Sequence, residues 1–270
     1  MSLSSRTNST PDLPRPGAFE RKQLHGTFGA LLGRGVLAGL VAGLIAGTFA
    51  YFVGEPHIDA AIAIEEAAAL ADHGVHPHSH GDEELVSRAG QRAGLFLAMA
   101  LSGLALGAIF ATVAHHARRH FTAPAVTLSL WLAFLCWMVI SVIPFGIYPA
   151  NPPAVGDPDT ISQRTFAWGA AVVVGIIAAT AAVAVTKKLA TAWQSVRLAA
   201  AAVAFGVIVG LGYLALPTFD DVPADFPATL LWDFRVAAIA STTVMWLALG
   251  IIFAGLSERA AAAEEKRFIA

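Results

Sequence analysis

Residues 35–53 read GVLAGLVAGLIAGTFAYFV. Together with Leu31 and Leu32 they make an apolar run long enough to cross a bilayer core of roughly 30 Å, which takes about 20 helical residues. Backbone amides find no water in lipid, so such a run has to be a helix. Gly35, Gly39, Gly43 and Gly47 recur every four residues and so fall in one stripe along it. A smooth stripe lets a second helix approach closely, which predicts a packed bundle and not a lone anchor. Gly94, Ala98 and Ser102 repeat the pattern, as do Gly206 and Gly210.

Beyond this first run, 31–53, five more apolar segments of spanning length occur at 93–114, 125–147, 166–186, 198–216 and 236–256. The chain has 270 residues, 56% of them hydrophobic and only 13% charged. Soluble domains carry about a quarter charged residues. The expected fold is all-α: a polytopic membrane bundle of about six transmembrane helices. Residues 1–30 read as a polar tail, 31–256 as the transmembrane domain and 257–270 as a second tail. The first run is too long for a signal-peptide core and shows no cleavage site, so it reads as a retained anchor.

The charges sort by side. Thirteen of the seventeen basic residues fall before or at the head of the first span, between the second and third, between the fourth and fifth, or after the sixth. Basic residues mark the cytoplasmic side, so both termini are expected there. Fourteen of the nineteen acids fall in the three opposite loops, about 54–92, 148–165 and 217–235, joined only by Arg88, Arg92, Arg164 and Arg235. Such an acidic face concentrates cations.

No Asp, Glu, Lys, Arg or His lies deep within a span. Ion-coupled transporters commonly keep one there, so the energy source is not legible. The polar and sulfur groups inside, such as Cys136, Ser141, Thr180, Ser241 and Thr243, read first as packing. The single cysteine allows no internal disulfide and no Cys-based zinc site. There is no H-E-x-x-H pair and no phosphate-binding loop, which argues against an enzyme or a self-contained ATPase. No nucleic-acid partner is expected; membrane lipid is.

The first outer loop, 54–92, carries the chemistry. Pro56 suits the first turn of a helix, and the sequence predicts one to about Asp72, ended by Gly74. Glu55, Asp59 and Glu66 share one face of it. They either line a vestibule for cations or stand in water on an interfacial helix. Next comes HGVHPHSHGDEE, residues 73–84. Alternating His76, His78 and His80 project to one side of an extended chain, with His73, Asp82, Glu83 and Glu84 able to complete a shell. Neutral imidazole suits divalent Co, Ni, Cu and Zn. A solvated loop or a pH sensor is the competing reading.

The second loop is stiffened by Pro149, Pro152, Pro153 and Pro158. In the third, Asp220, Asp221 and Asp225 form a run of hard oxygens, and Asp233 is placed to pair with Arg235. On the other side, HHARRH sets His116 and His120 four apart, a metal pair or part of a basic interfacial anchor.

Four stretches carry a likeness: GEPHIDAAIAIEEAA (54–68), HSHGDEELVSRAGQRAG (78–94), YPANPPAVGDPDTISQRT (148–165) and VPADFPATLLWDFR (222–235). With the spans between them, the chain resembles the CbtA family of cobalt transporter subunits over roughly residues 31–256. The resemblance implies a multi-span protein of the bacterial inner membrane, linked to cobalt uptake and cobalamin supply. It also implies a partner, a small single-span His-rich CbtB-like subunit. It transfers no ligand set, so the metal candidates rest on ligand chemistry alone.

The expected function is the membrane component of a divalent transition-metal uptake system. Co²⁺ is favoured over Ni²⁺ or Zn²⁺ as captured cargo, with no tightly bound cofactor. The alternative is a metal-sensing or scaffolding membrane protein that moves no ion.

Overall fold

The computed structural model describes residues 23–72, 87–219 and 221–269. The described residues form helices and connecting turns, with no strand among them. The helices are α1 (Phe28–Val53), α2 (Glu55–Asp72), α3 (Arg88–Ala117), α4 (Ala125–Trp137), α5 (Ile143–Ile147), α6 (Ile161–Lys188), α7 (Gln194–Ala215) and α8 (Ala228–Ile269). A π turn, Met138–Val142, joins α4 to α5 into one span. Six helical segments are long and apolar enough to cross a membrane, as the sequence predicts. Several run further than the apolar windows. α6 starts at Ile161 and α8 continues to Ile269, because the hydrogen-bond ladder persists through polar turns that hydropathy does not register.

Local signals set the ends. The Thr27 hydroxyl accepts from Ala30 N at 3.2 Å to cap α1, and the Ser87 hydroxyl accepts from Gly90 N at 3.2 Å to cap α3. Pro144 explains the π turn. It lacks an N–H and its ring crowds the carbonyl four residues back. Widening the turn so that Ile143 N bonds Met138 O makes room.

The core lies among α1, α3, α4 and α8, built on Leu31, Phe110, Leu128, Trp246, Leu249 and Phe253. Phe110 and Phe253 meet edge-on at 5.1 Å between ring centroids. α1 and α3 are closer than side chains would allow. A methyl group at Gly39 would overlap the Gly103 carbonyl, one at Gly103 the Gly39 carbonyl, and Gly35 and Gly107 stand in the same reciprocal relation. The backbones touch directly, the geometry in which Cα–H donors face carbonyl oxygens.

The glycine stripe of α1 is therefore an interface, whereas the small-residue stripe expected on α3 faces outward. Gly94, Ala98 and Ser102 are exposed, and a Cβ at Gly94 meets nothing within 4 Å. Met99, Gly103 and Gly107 supply the docking row, one helical position away, where α3 turns toward the core. Gly206 and Gly210 likewise face outward, and Gly212 instead packs on Val174 of α6. α7 rests chiefly on α6, which docks on the π turn and α5 through Gly175, Val139 and Ile143. Tyr213 of α7 completes this joint. Its hydroxyl fits the notch left by Gly146 and donates to Ile143 O at 3.1 Å.

Several hydroxyls within the spans are satisfied on their own helix. Thr180 donates to Ile176 O, Ser241 to Ala237 O and Thr243 to Ile239 O, each on its own helix. Ser141 accepts from Trp246 Nε1 at 3.2 Å.

Candidate functional site

The acid-rich face is roofed by α2 and the two long connections, 148–160 and 216–227. Gly54 ends α1 and α2 begins at once, with Pro56 in its first turn, where no N–H is needed. The helix runs to Asp72 as the sequence predicts. Ala61 on its underside is fully buried against Val155 of the second connection and Phe226 of the third.

At the start of α2, Glu55 and Asp59 meet Arg88 and Arg92 from the start of α3. Glu55 Oε2 lies 2.8 Å from Arg88 Nη2 and 3.2 Å from Arg92 Nε. Asp59 Oδ2 lies 2.9 Å from Arg92 Nη2, and Asp59 Oδ1 also pairs with Arg88. Two carboxylates and two guanidiniums thus form a closed, charge-balanced square. Glu55 is its buried corner, with 7% of its side chain exposed against 46% for Asp59. The Asp59 carboxyl is held below its usual range, first by the Arg88 hydrogen bond and then by the charges of Arg88 and Arg92.

The expected vestibule face is thereby divided. Glu55 and Asp59 come together, with guanidiniums already against them. Glu66 is exposed, eleven residues along α2 from Glu55 and so about 16 Å away at a helical rise of 1.5 Å. His73, His76, His78, His80, Asp82, Glu83 and Glu84 lie outside the described residues. Among the described residues, no three His, Cys, Asp or Glu side chains converge as a metal shell.

The two connections are tied to each other and to the helices below. Tyr148 donates its hydroxyl to Pro217 O at 2.7 Å. Arg164 Nη1 lies 3.1 Å from Asp221 Oδ2, and the guanidinium passes where Gly156, at φ +126°, has no side chain. The aspartate run is accordingly split: Asp221 is paired, Asp225 is exposed and Asp220 lies outside the described residues. Arg235 does not turn to Asp233. It donates to Ala150 O at 3.3 Å and Asn151 Oδ1 at 2.9 Å, because residues two apart on a helix point to different faces. Between α2 and these connections opens a cleft of about 450 Å³, lined by Ile64, Glu65, Pro152, Val155, Asp225 and Phe226.

Arg88 and Arg92 entered the sequence reading only as charges. The signal that finds their role is their spacing. Two arginines four apart at a helix start match two carboxylates four apart at another. On the opposite face, His116 and His120 do not form a helical pair, because α3 ends at Ala117 and His116 Nδ1 contacts Thr112 O.

No curated protein and no solved structure matches the chain. A family model described as "Probable cobalt transporter subunit (CbtA)" matches residues 28–258, from the first residue of α1 into the last turns of α8. The matched stretch takes in all six spans, the ion-pair square and both tied connections. The chain belongs to the CbtA family of cobalt transporter subunits and is a multi-pass membrane protein.

Proposed function

We propose that this chain is the membrane-embedded component of a divalent-metal uptake system, cobalt first, in the cytoplasmic membrane of a bacterium. The observation that carries the reading is the family match across residues 28–258, joined to six spans with an acid-rich face. On this reading the ion is captured outside by His73, His76, His78 and His80 with Asp82, Glu83 and Glu84, and Glu66 extends the acidic track along α2. Glu55 and Asp59 receive a dication only in exchange for the Arg88 and Arg92 contacts. Imidazole and carboxylate accept Co²⁺, Ni²⁺ and Zn²⁺ alike, so the preference for cobalt rests on the family and not on ligand type.

A transporter subunit works with another. Its partner here is a small single-span His-rich subunit of the CbtB kind. The spans favour such sharing: no Asp, Glu, Lys, Arg or His sits mid-span, and the hydroxyls of Thr180, Ser241 and Thr243 bond their own helices. The same feature also favours a second reading, a metal-sensing scaffold that moves no ion.

Radioactive cobalt uptake separates the two. The host lacks other cobalt importers and carries the chain with its partner subunit. Uptake above that of cells with the partner alone, reduced when the four outer histidines become Ala, is the expected result. Uptake equal to the partner-alone control, with the chain verified in the membrane, rejects the transport reading.

A further inference from the structure

The face opposite the acidic roof holds a cluster of positive charge. Arg118 caps α3, so it sits just past the apolar span. Its Nη1 donates to Leu24 O at 3.3 Å and Gly26 O at 2.8 Å, which ties the residues before α1 to the α3–α4 turn. Arg34 braces the same segment by donating to His25 O at 3.0 Å. His115 stands between two guanidiniums, its Nδ1 3.0 Å from Arg118 Nη2 and its Nε2 2.8 Å from Arg119 Nη2. A neutral imidazole has one lone pair and one N–H, and guanidinium only donates. One of the two contacts therefore sets donor against donor.

Among the described residues, no carboxylate pairs with Arg118 or Arg119, and the ion pairs all lie on the acidic face. The Arg118 guanidinium is pushed below its usual range by burial first, then by the charges of Arg119 and Arg34. Beside it opens a cavity of about 230 Å³, with Gln23, His25, Arg118 and Arg119 in its wall and no acid among its described lining residues. Phe121 also lines it, and Lys187 from the end of α6 stands 6.0 Å from the Phe121 ring centroid, bringing a cation from a third element to the rim.

We propose that this cavity binds a phosphate group, with Arg118 and Arg119 donating to its oxygens and Lys187 closing the rim. Guanidinium presents paired N–H donors that match phosphate oxygens, and an anion supplies the acceptors that His115 cannot. Basic pockets at the ends of membrane helices receive lipid headgroups in this way. The phosphate comes either from an anionic phospholipid or from a soluble phosphate on the aqueous side. The inference is independent of metal handling on the opposite face.

The test is ligand-induced thermal stabilisation of the purified full chain in detergent, at constant ionic strength. The probes are phosphatidylglycerol, phosphatidylcholine and inorganic phosphate. Arg119→Gln is the main variant, because Arg119 is exposed and holds no backbone carbonyl. Lys188→Gln, on the same face but exposed and outside the cavity lining, is the control for diffuse attraction. Wild-type protein is stabilised, Arg119→Gln needs roughly tenfold more ligand, as expected for the loss of a charged hydrogen bond, and Lys188→Gln behaves as wild type. Stabilisation by phosphatidylglycerol alone assigns the site to lipid; stabilisation by inorganic phosphate as well assigns it to soluble phosphate. Absence of any shift overturns the proposal. So does an equal response in Arg119→Gln and wild type, or an equal weakening in both variants.

Discussion

Arg92 reaches Asp59 across 33 residues of sequence, its Nη2 standing 2.9 Å from Asp59 Oδ2. With Arg88 and Glu55 this contact clamps the start of α3 to the start of α2, two helix starts more than thirty residues apart in sequence.

The clamp has a defined pH signature. The Asp59 carboxyl is depressed in the folded protein, so its stabilisation is complete above the ordinary carboxylate pKa of about 3.9. It is lost as pH falls through the lower folded value. Melting temperatures of wild type and Asp59→Asn should differ by a constant amount between pH 8 and pH 5, and converge in acid below about pH 4.

Glu55 should matter more than Asp59, because it is the buried corner of the square. Glu55→Gln leaves two guanidiniums facing a neutral amide, at a cost of roughly 1–3 kcal/mol. Detergent-solubilised melting measures it, and a Glu55→Gln melting temperature at or above that of Asp59→Asn contradicts the assignment.

The α1–α3 seam predicts a contrast between glycines of similar sequence setting. Gly39→Ala forces a methyl into the Gly103 carbonyl and should cost about 1–3 kcal/mol or more. Gly206→Ala meets nothing within 4 Å and should cost nothing. Yield of monodisperse protein and its melting temperature report both.

The joint between α7 and α5 is a separate test. Tyr213→Phe removes one hydrogen bond to Ile143 O, worth about 1 kcal/mol. Gly146→Ala displaces the phenol from its notch and should destabilise more than Tyr213→Phe. The reverse order in thermal unfolding argues that the hydroxyl and not the notch organises the joint.

In the roof, Gly156→Ala places a methyl against the Arg164 guanidinium at a backbone conformation that disfavours side chains, at about 1–3 kcal/mol. Faster proteolysis within residues 148–160, with the helices intact, is the expected readout.

Spans, helix α2 and the segregation of charge were legible because each follows from a local rule: length of apolar run, proline at a helix start, basic residues on one side. The mate of the α1 glycine stripe was not, because small-residue spacing identifies a smooth face and not which way it points. Gly94–Ala98–Ser102 and Met99–Gly103–Gly107 satisfy the same spacing, and only the rotation of α3 about its axis chooses between them. The candidate site was legible in composition and not in pairing. Glu55 and Asp59 stood out as carboxylates, but their engagement by Arg88 and Arg92 depends on where two helix starts meet in space.

Helix α8 is 42 residues long, so at 1.5 Å per residue it measures about 63 Å, twice the hydrocarbon thickness. Its middle carries Trp246, Leu249 and Phe253, on which α1, α3 and α4 lean. The helix is thus a keel as well as a wall: one unbroken hydrogen-bond ladder joins the surface that holds the other helices to a polar extension ending in Lys266 and Arg267.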